Sequence, residues 1–233
     1  MSDIIRVEGL SKSYGKKTVL TDLNLSLEAG QIIGLLGPNG CGKTTLIKIL
    51  TGLIKDHDGI VNIDGQRPGP YTKSIVAYLP EKSYLPEWMR PVDALDYFND
   101  FYSDFDRKKA EYMAQHFSID MKQKVKTMSK GQQEKLGLIL VMSRSAKLYI
   151  LDEPLGGVDP AARSVILDLI MKNYAENSTV MLSTHLINDV ERIFNRVLMI
   201  NGGKIVVNSD VDAFRQQGKT VEDVFKEVFA YAW

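Results

Sequence analysis

The chain has 233 residues, 44% of them hydrophobic, with Lys+Arg and Asp+Glu balanced at 29 each. This length and apolar content predict one large α/β unit with a sizeable core and exclude a disordered chain. Zero net charge argues against a nucleic-acid binder, which usually carries a basic surface, and the sole cysteine, Cys41, allows no internal disulfide, which fits a reducing compartment.

Near the N-terminus, "IIRVEGL" (4–10), the strictly alternating "LNLSL" (23–27) and "QIIGLL" (31–36) read as strands. "GKTTLIKILTGL" (42–53) reads as a helix ending at Gly52. "IVNIDG" (60–65) and "SIVAYL" (74–79) read as short strands around the Pro- and Gly-rich "GQRPGP". From Pro86 to about Ser145 the pattern is helical, with "VDALDYFNDFY" (92–102) and "DRKKAEYMAQHF" (106–117). "KLYILDEP" (147–154) and "STVMLSTH" (178–185) resume the strands, with a helix between them. Their apolar runs lack alternation, as in strands buried on both faces of a parallel sheet. "RVLMINGGKIVV" (196–207) reads as a hairpin turning at Asn201-Gly202. The longest apolar runs, such as "LGLILVM" (136–142), fall short of the ~20 residues a membrane helix needs. The first residues show no signal-peptide core, so the chain is expected to be soluble by itself, with any membrane role reached through a partner.

Gly37-Pro38-Asn39-Gly40-Cys41-Gly42-Lys43-Thr44 fits G-x-x-x-x-G-K-[ST] between an apolar strand and a helix. Glycines let successive backbone N–H groups curl around phosphates. The lysine reaches the outer phosphates and the threonine hydroxyl ligates Mg²⁺. The pattern arises by chance roughly once in a hundred chains of this length. At the end of an apolar strand, Asp152 is placed to hold the Mg²⁺ shell and Glu153 to face an attacking water. His185 ends the next strand, where a γ-phosphate is sensed. Far from the first anion site, "TMSKGQQEKL" (127–136) opens a helix whose N-terminus also suits an anion.

Together these segments resemble the ATPase subunit of an ABC transporter over nearly the whole chain. "GPNGCGKTT" resembles the Walker A motif, "LYILDEP" Walker B, "GGVD" (156–159) the D-loop with Asp159, and "STH" the switch-histidine loop. "MSKGQ" resembles the signature LSGGQ, with Met128 for Leu and Lys130 for Gly. The resemblance implies a P-loop NTPase (RecA-like) α/β core with an N-terminal antiparallel β-subdomain. It implies a single domain over 1–233, with a helical subdomain inserted at 86–145. ATP contacts are implied for Gly37 to Thr44 and for Thr45, with Tyr14 stacking on adenine, although strand packing explains Tyr14 equally. Mg²⁺ is implied at Thr44, Asp152 and Glu81, which stands where the family usually has Gln. Catalysis is implied for Glu153 and His185. Ser129, Lys130, Gly131 and Gln132 are implied to meet the ATP of a second ATPase subunit, identical or different. "YLPE", "SKGQ", "GGVDP" and "VEDVF" resemble the bacterial subgroup that works with exporter-type (ABC-2-like) membrane subunits. An integral-membrane permease is therefore the expected partner, with the chain peripheral at the cytoplasmic face of the membrane.

Two local readings stay open. Cys41, close to a helix N-terminus, is either an activated thiol shielded by ATP or a buried, inert one. In "EKSYLPEWMRP" (81–91), Tyr84, Leu85, Trp88 and Met89 follow no clean period. They are either core or a patch that grips a helix of the permease. The alternative functions are an ABC-type ATPase acting on nucleic acid or ribosomes, which typically has two such domains or a long coiled coil, and a soluble phosphotransferase, which needs neither "MSKGQ" nor His185.

Overall fold

A computed structural model describes residues 3–156, 158, 160–175 and 177–230. Strands β1 (Asp3–Tyr14) and β2 (Lys17–Glu28) form a hairpin, followed by β3 (Ile32–Leu36), α1 (Lys43–Leu50), β4 (Asp58–Ile63), α2 (Pro70–Ile75) and β5 (Val76–Leu79). Helices α3 (Pro91–Phe101), α4 (Arg107–His116) and α5 (Lys130–Met142) come next. The chain then runs through β6 (Leu148–Asp152), α6 (Pro160–Asn173), β7 (Thr179–Ser183), α7 (Ile187–Val190), β8 (Arg196–Asn201), β9 (Lys204–Asp210), α8 (Val211–Gln216) and α9 (Val221–Phe229).

Two sheets form. The smaller is antiparallel in the order β2-β1-β4; the larger has the order β5-β6-β7-β3-β8-β9, parallel except for β9. The unbroken apolar runs of β3, β6 and β7 are buried on both faces. Ile33 and Leu35 of β3 join a core with α1 and the small sheet, while Ile32 and Leu36 join a second core with α3, α5 and α6. Helix α1 is thus held between the two sheets by Leu46, Ile47, Ile49 and Leu50. This places the N-terminal end of α1 at the edge where the parallel strands finish.

Three expected boundaries move. Ser74 and Ile75 close α2 rather than opening a strand, because Pro70 supplies a pre-set φ at the first helical turn and the Thr72 hydroxyl accepts the Gly69 N–H at 2.8 Å. The helical stretch begins at Pro91 rather than Pro86. The β8–β9 turn is centred on Gly202-Gly203, both at positive φ, with Asn201 still paired to Lys204. A two-residue turn of this twist needs positive φ at both central positions, which Gly-Gly meets without strain.

Arg144, just past α5, ties the helices between β5 and β6 to the large sheet. Its guanidinium donates to both oxygens of Asp104, to the Val76 carbonyl at 2.7 Å and to the Ser74 carbonyl at 2.5 Å. It also lies 3.9 Å from the Tyr102 ring centroid. Arg144 is only 3% exposed. Removing one partner of such a buried pair leaves the other charge uncompensated. Arg144→Met is therefore expected to destabilise the chain by about 3–5 kcal/mol. Urea unfolding should show the midpoint falling; a loss below about 1 kcal/mol, the level of an exposed pair, would show that the tether carries no such load.

Candidate nucleotide-binding site

Four loops at the ends of parallel strands converge on a cavity of about 800 Å³. It is lined by Asn39, Gly40, Gly42, Lys43, Thr44 and Thr45 after β3, by Glu81 after β5, by Glu153 after β6 and by His185 after β7. The loop after β3 is conformationally demanding. Gly37 has φ 152°, and a Cβ there would stand 2.4 Å from the Ile200 carbonyl oxygen. No side chain fits so close a backbone approach. The Lys43 ammonium is folded back onto its own loop, donating to the carbonyls of Gly37 at 2.7 Å and Pro38 at 3.2 Å. Gly37 and Pro38 therefore act from behind the cavity wall, by holding the lysine.

Asp152, at the end of β6, is 1% exposed. Its Oδ1 accepts the Ser183 hydroxyl from β7 at 2.5 Å, while Oδ2 is buried with no hydrogen-bond partner. Burial pushes its carboxyl above the ordinary range, opposed by hydrogen bonds from Ser183 and Thr44, and the nearby Glu81 charge pushes the same way as burial. The Tyr78 phenol is pushed up to about 12 by burial and by the charges of Asp152 and Glu81. A divalent cation fits this arrangement. It satisfies the lone Oδ2, offsets the clustered carboxylates, and finds hard oxygen donors in Thr44, Asp152 and Glu81. Among the described residues no group of three or more His, Cys, Asp or Glu is placed to hold a metal. Mg²⁺ suits such a site, since it keeps waters and substrate phosphates among its ligands.

Glu153 follows with φ 51°, a left-handed conformation uncommon for a non-glycine residue. Its N–H donates to the Ser183 carbonyl and hydroxyl, fixing the strained peptide to β7. The side chain is paired to His185, with Nδ1 2.9 Å from Oε2. The two residues expected to be catalytic therefore touch.

At the start of α5, Ser129 is the N-cap. Its hydroxyl accepts the Gln132 N–H, and the Gln132 side chain accepts the Ser129 N–H at 2.9 Å. Lys130 lines the same cavity as the chain's own P-loop; Ser129, Gly131 and Gln132 do not. Gly156, which opens the D-loop-like segment, also lines it, as do residues not anticipated from the sequence, namely Val19, Lys82, Ser83, Gln133 and Glu134. Helical spacing carried the signal for two of them, because positions 130, 133 and 134 share one face of α5. Glu134 Oε2 is buried and unpaired, and burial raises its carboxyl despite Lys130 at 3.7 Å.

Other expectations divide. Tyr14 is half exposed and outside the cavity lining, with the Lys12 ammonium 5.1 Å from its ring centroid. Cys41 is buried, and burial pushes its thiol up, outweighing the lowering by Lys43. The activated-thiol reading is therefore wrong, because the side chain packs into the core beneath the loop instead of joining the phosphate face. Met89 is a core residue and Leu85 packs against that core, whereas Tyr84 and Trp88 are exposed. The patch reading fails for Met89, because the segment is a turn that sends it inward. Asp159 lies outside the described residues.

A protein family described as "ABC transporter" matches residues 20–156. An uncharacterised ABC transporter ATP-binding protein of Methanocaldococcus jannaschii is 34% identical, over 88% of this chain and 77% of that one. The SkfA peptide export ATP-binding protein of Bacillus subtilis is 30% identical, over 96% of each. A solved structure of an ATP-binding subunit of an ABC transporter superposes with a TM-score of 0.85 at 27% identity, covering 96% of this chain and 98% of the other.

Proposed function

The chain belongs to the ABC transporter family as an ATP-binding, ATP-hydrolysing subunit, and on that premise we propose that it pairs with a second ATPase subunit around two ATP molecules and drives a membrane exporter. The observation that carries the proposal is the meeting of Lys43, Thr44, Glu81, Glu153 and His185, from four separate loops, on one cavity. Backbone N–H groups of the loop and the Lys43 ammonium bind the phosphates, the ammonium leaving the Gly37 and Pro38 carbonyls for a stronger, charged acceptor. Thr44, Asp152 and Glu81 would hold a Mg²⁺ ion, which would supply neutralisation of the phosphate charge. Glu153 takes the proton of the attacking water, and His185 orients the Glu153 carboxylate through their contact. Tyr14, exposed at the end of β1, is available to stack on adenine.

Ser129, Gly131 and Gln132 stay outside the chain's own cavity. That supports their use on a partner's nucleotide, at the positive end of α5, whose first turn has no acidic residue. The export ATPase of B. subtilis, similar along its whole length, supports export as the direction. Residues 86–145 form the inserted helical lobe within one ATPase domain. Among the described residues no helix is long and apolar enough to cross a membrane, so the chain reaches the cytoplasmic membrane face through a permease. Exposed Tyr84 and Trp88 belong to its docking patch. Tyr97 and Phe101 of α3, stacked at 4.4 Å and likewise exposed, extend it.

Glu153→Gln keeps the shape of the side chain and removes the base. It should retain ATP binding and lose about 10²–10⁴-fold in turnover, with ATP-bound dimers accumulating on a sizing column. Near-normal turnover would mean that another group is the base.

A mixed dimer tests the two-chain arrangement. Lys43→Ala damages nucleotide binding within a chain, while Ser129→Arg blocks the closed contact with the partner. Pairing one with the other puts both lesions in one site and leaves the second intact, so the mixture should trap one ATP although neither variant traps any alone. No trapping would defeat the shared-site reading.

Trp88 is 68% exposed, so Trp88→Ala removes no core contact. It should weaken co-purification with the permease and spare ATPase activity in the isolated chain. Unchanged assembly would take Trp88 out of the docking patch.

A further inference from the structure

A second, smaller cavity of about 290 Å³ lies at the C-terminal end of α1, away from the nucleotide loops. Its walls are Gly52, Ile54, Lys55, His57, Gly59, Val61, Arg67 and Pro68. Two cations and an imidazole line it, and no acidic residue does. Zero net charge over the whole chain gives no reason to expect this local excess.

Of the three acids nearest in sequence, two are committed elsewhere. Asp56 accepts from the Lys12 ammonium at 3.0 Å. Asp64 accepts from Lys147 at 2.8 Å and from the Tyr71 hydroxyl, which hold its carboxyl below the ordinary range. Asp58 is exposed and does not line the cavity. Lys55 and Arg67 are left with no ion pair or hydrogen bond among the described residues. Arginines elsewhere in the chain, such as Arg6, Arg90, Arg107, Arg196 and Arg215, each hold a carboxylate.

Part of the wall is fixed by backbone, while Lys55 and Arg67 contribute exposed side chains. Gly59, at φ 88°, passes so close to β1 that a Cβ would stand 2.6 Å from the Gly9 carbonyl oxygen. Ile63 and Gln66 exchange backbone hydrogen bonds of 2.7 and 3.0 Å, which sets the turn leading to Arg67. A Cβ on Gly52 would lie 3.2 Å from Pro68 and 3.9 Å from the Lys73 side chain, so a further cation flanks the rim.

We infer that this cavity is an anion site for a small phosphate ester, held by Lys55 and Arg67 with His57 as the third wall. Arginine presents a planar fork matched to phosphate oxygens, and lysine adds a point charge. The volume suits a single phosphate group with a short polar substituent. That chemistry is shared by a soluble phosphorylated metabolite and by the headgroup of an anionic phospholipid. The site shares no lining residue with the nucleotide cavity.

Amide NMR on the full chain, with the nucleotide site saturated by Mg-ADP, tests the inference. The probes are glycerol 3-phosphate and, in a parallel arm, vesicles of phosphatidylglycerol in phosphatidylcholine, with pure phosphatidylcholine vesicles and matched sodium chloride as controls. Saturable shifts are expected at Gly52, Gly59 and Arg67 with at least one phosphate probe. Lys55→Gln combined with Arg67→Gln should weaken that binding at least about tenfold, roughly the effect of one lost charged contact, while basal ATPase activity stays unchanged. The arm that responds identifies the source, soluble or lipid. Arg67→Gln alone should show an intermediate loss, which separates the effect from misfolding of the double variant. Absence of saturable shifts with both probes, or equal binding by wild type and double variant, would overturn the inference.

Discussion

The Asp152 carboxylate, buried at the end of a central strand with one oxygen bonded and the other bare, is the constraint on which the site depends. A buried ionised group without full pairing is unfavourable by several kcal/mol, and a fold tolerates it where something else completes the shell. Here Ser183 of β7 supplies the larger part of the compensation and Thr44 of α1 a smaller part. Both reach Asp152 only because β6 and β7 pair in parallel with Asp152 opposite Ser183, and because α1 is packed between the two sheets. The topology thus creates an electrostatic deficit at the sheet edge, and the proposed metal ion is what would meet the remaining demand.

The same edge holds the conformational strain. Glu153 is at positive φ immediately after Asp152, and its N–H is held by Ser183. One serine therefore serves both carboxylate residues, orienting Asp152 through its hydroxyl proton and fixing the backbone of Glu153 through its oxygens. A left-handed non-glycine residue carries a strain on the order of 1 kcal/mol or more, and here it turns the carboxylate toward His185. In the nucleotide loop the Lys43 ammonium occupies carbonyl acceptors that hold it close to where phosphates arrive. On binding the ammonium exchanges these neutral acceptors for charged ones, which make the stronger hydrogen bonds.

Much of this was legible in the sequence because the chemistry restricts residue choice. Backbone approach at Gly37, the Lys43-Thr44 pair and the carboxylates after an apolar strand have few substitutes, so local pattern was enough to find them. The central strands were legible because their two-sided burial removes alternation. What was missed depended on packing between distant segments. Ser183 matters only through its register opposite Asp152. Glu134 matters because α5 lies against the Glu81 loop. For Cys41 the sequence left an activated and an inert thiol both open, and burial beneath the loop favours the inert one. The irregular 81–91 segment could not be divided into core and surface without the turn that buries Met89 and exposes Trp88. The strand expected at 74–79 lost its first two residues to a helix started by Pro70, a local signal overlooked in favour of apolar content.

The helices between β5 and β6 are attached to the sheet in two physically different ways, and the difference bears on how nucleotide binding reaches them. At one end Arg144 makes a dense, buried connection to Asp104 and to carbonyls of the strand entrance. At the other, the connection starts at Glu81 in the cavity and runs through an exposed turn. That turn is joined to the approach to α5 by two backbone hydrogen bonds, Val125 N–H to the Met89 carbonyl at 2.9 Å and Lys126 N–H to the Glu87 carbonyl at 3.0 Å. Ser129 and the start of α5 follow within three residues of that junction. Glu81 is therefore linked by a short, hydrogen-bonded path to the start of α5, while Arg144 holds the far end of α5 against the sheet. The buried end resists movement because separating it exposes an unpaired charge; the turn has only a few backbone bonds to bend. The exposed aromatic side chains Tyr84, Trp88, Tyr97 and Phe101 thus lie on the more weakly attached end, and the buried Arg144 contacts on the firmly attached one.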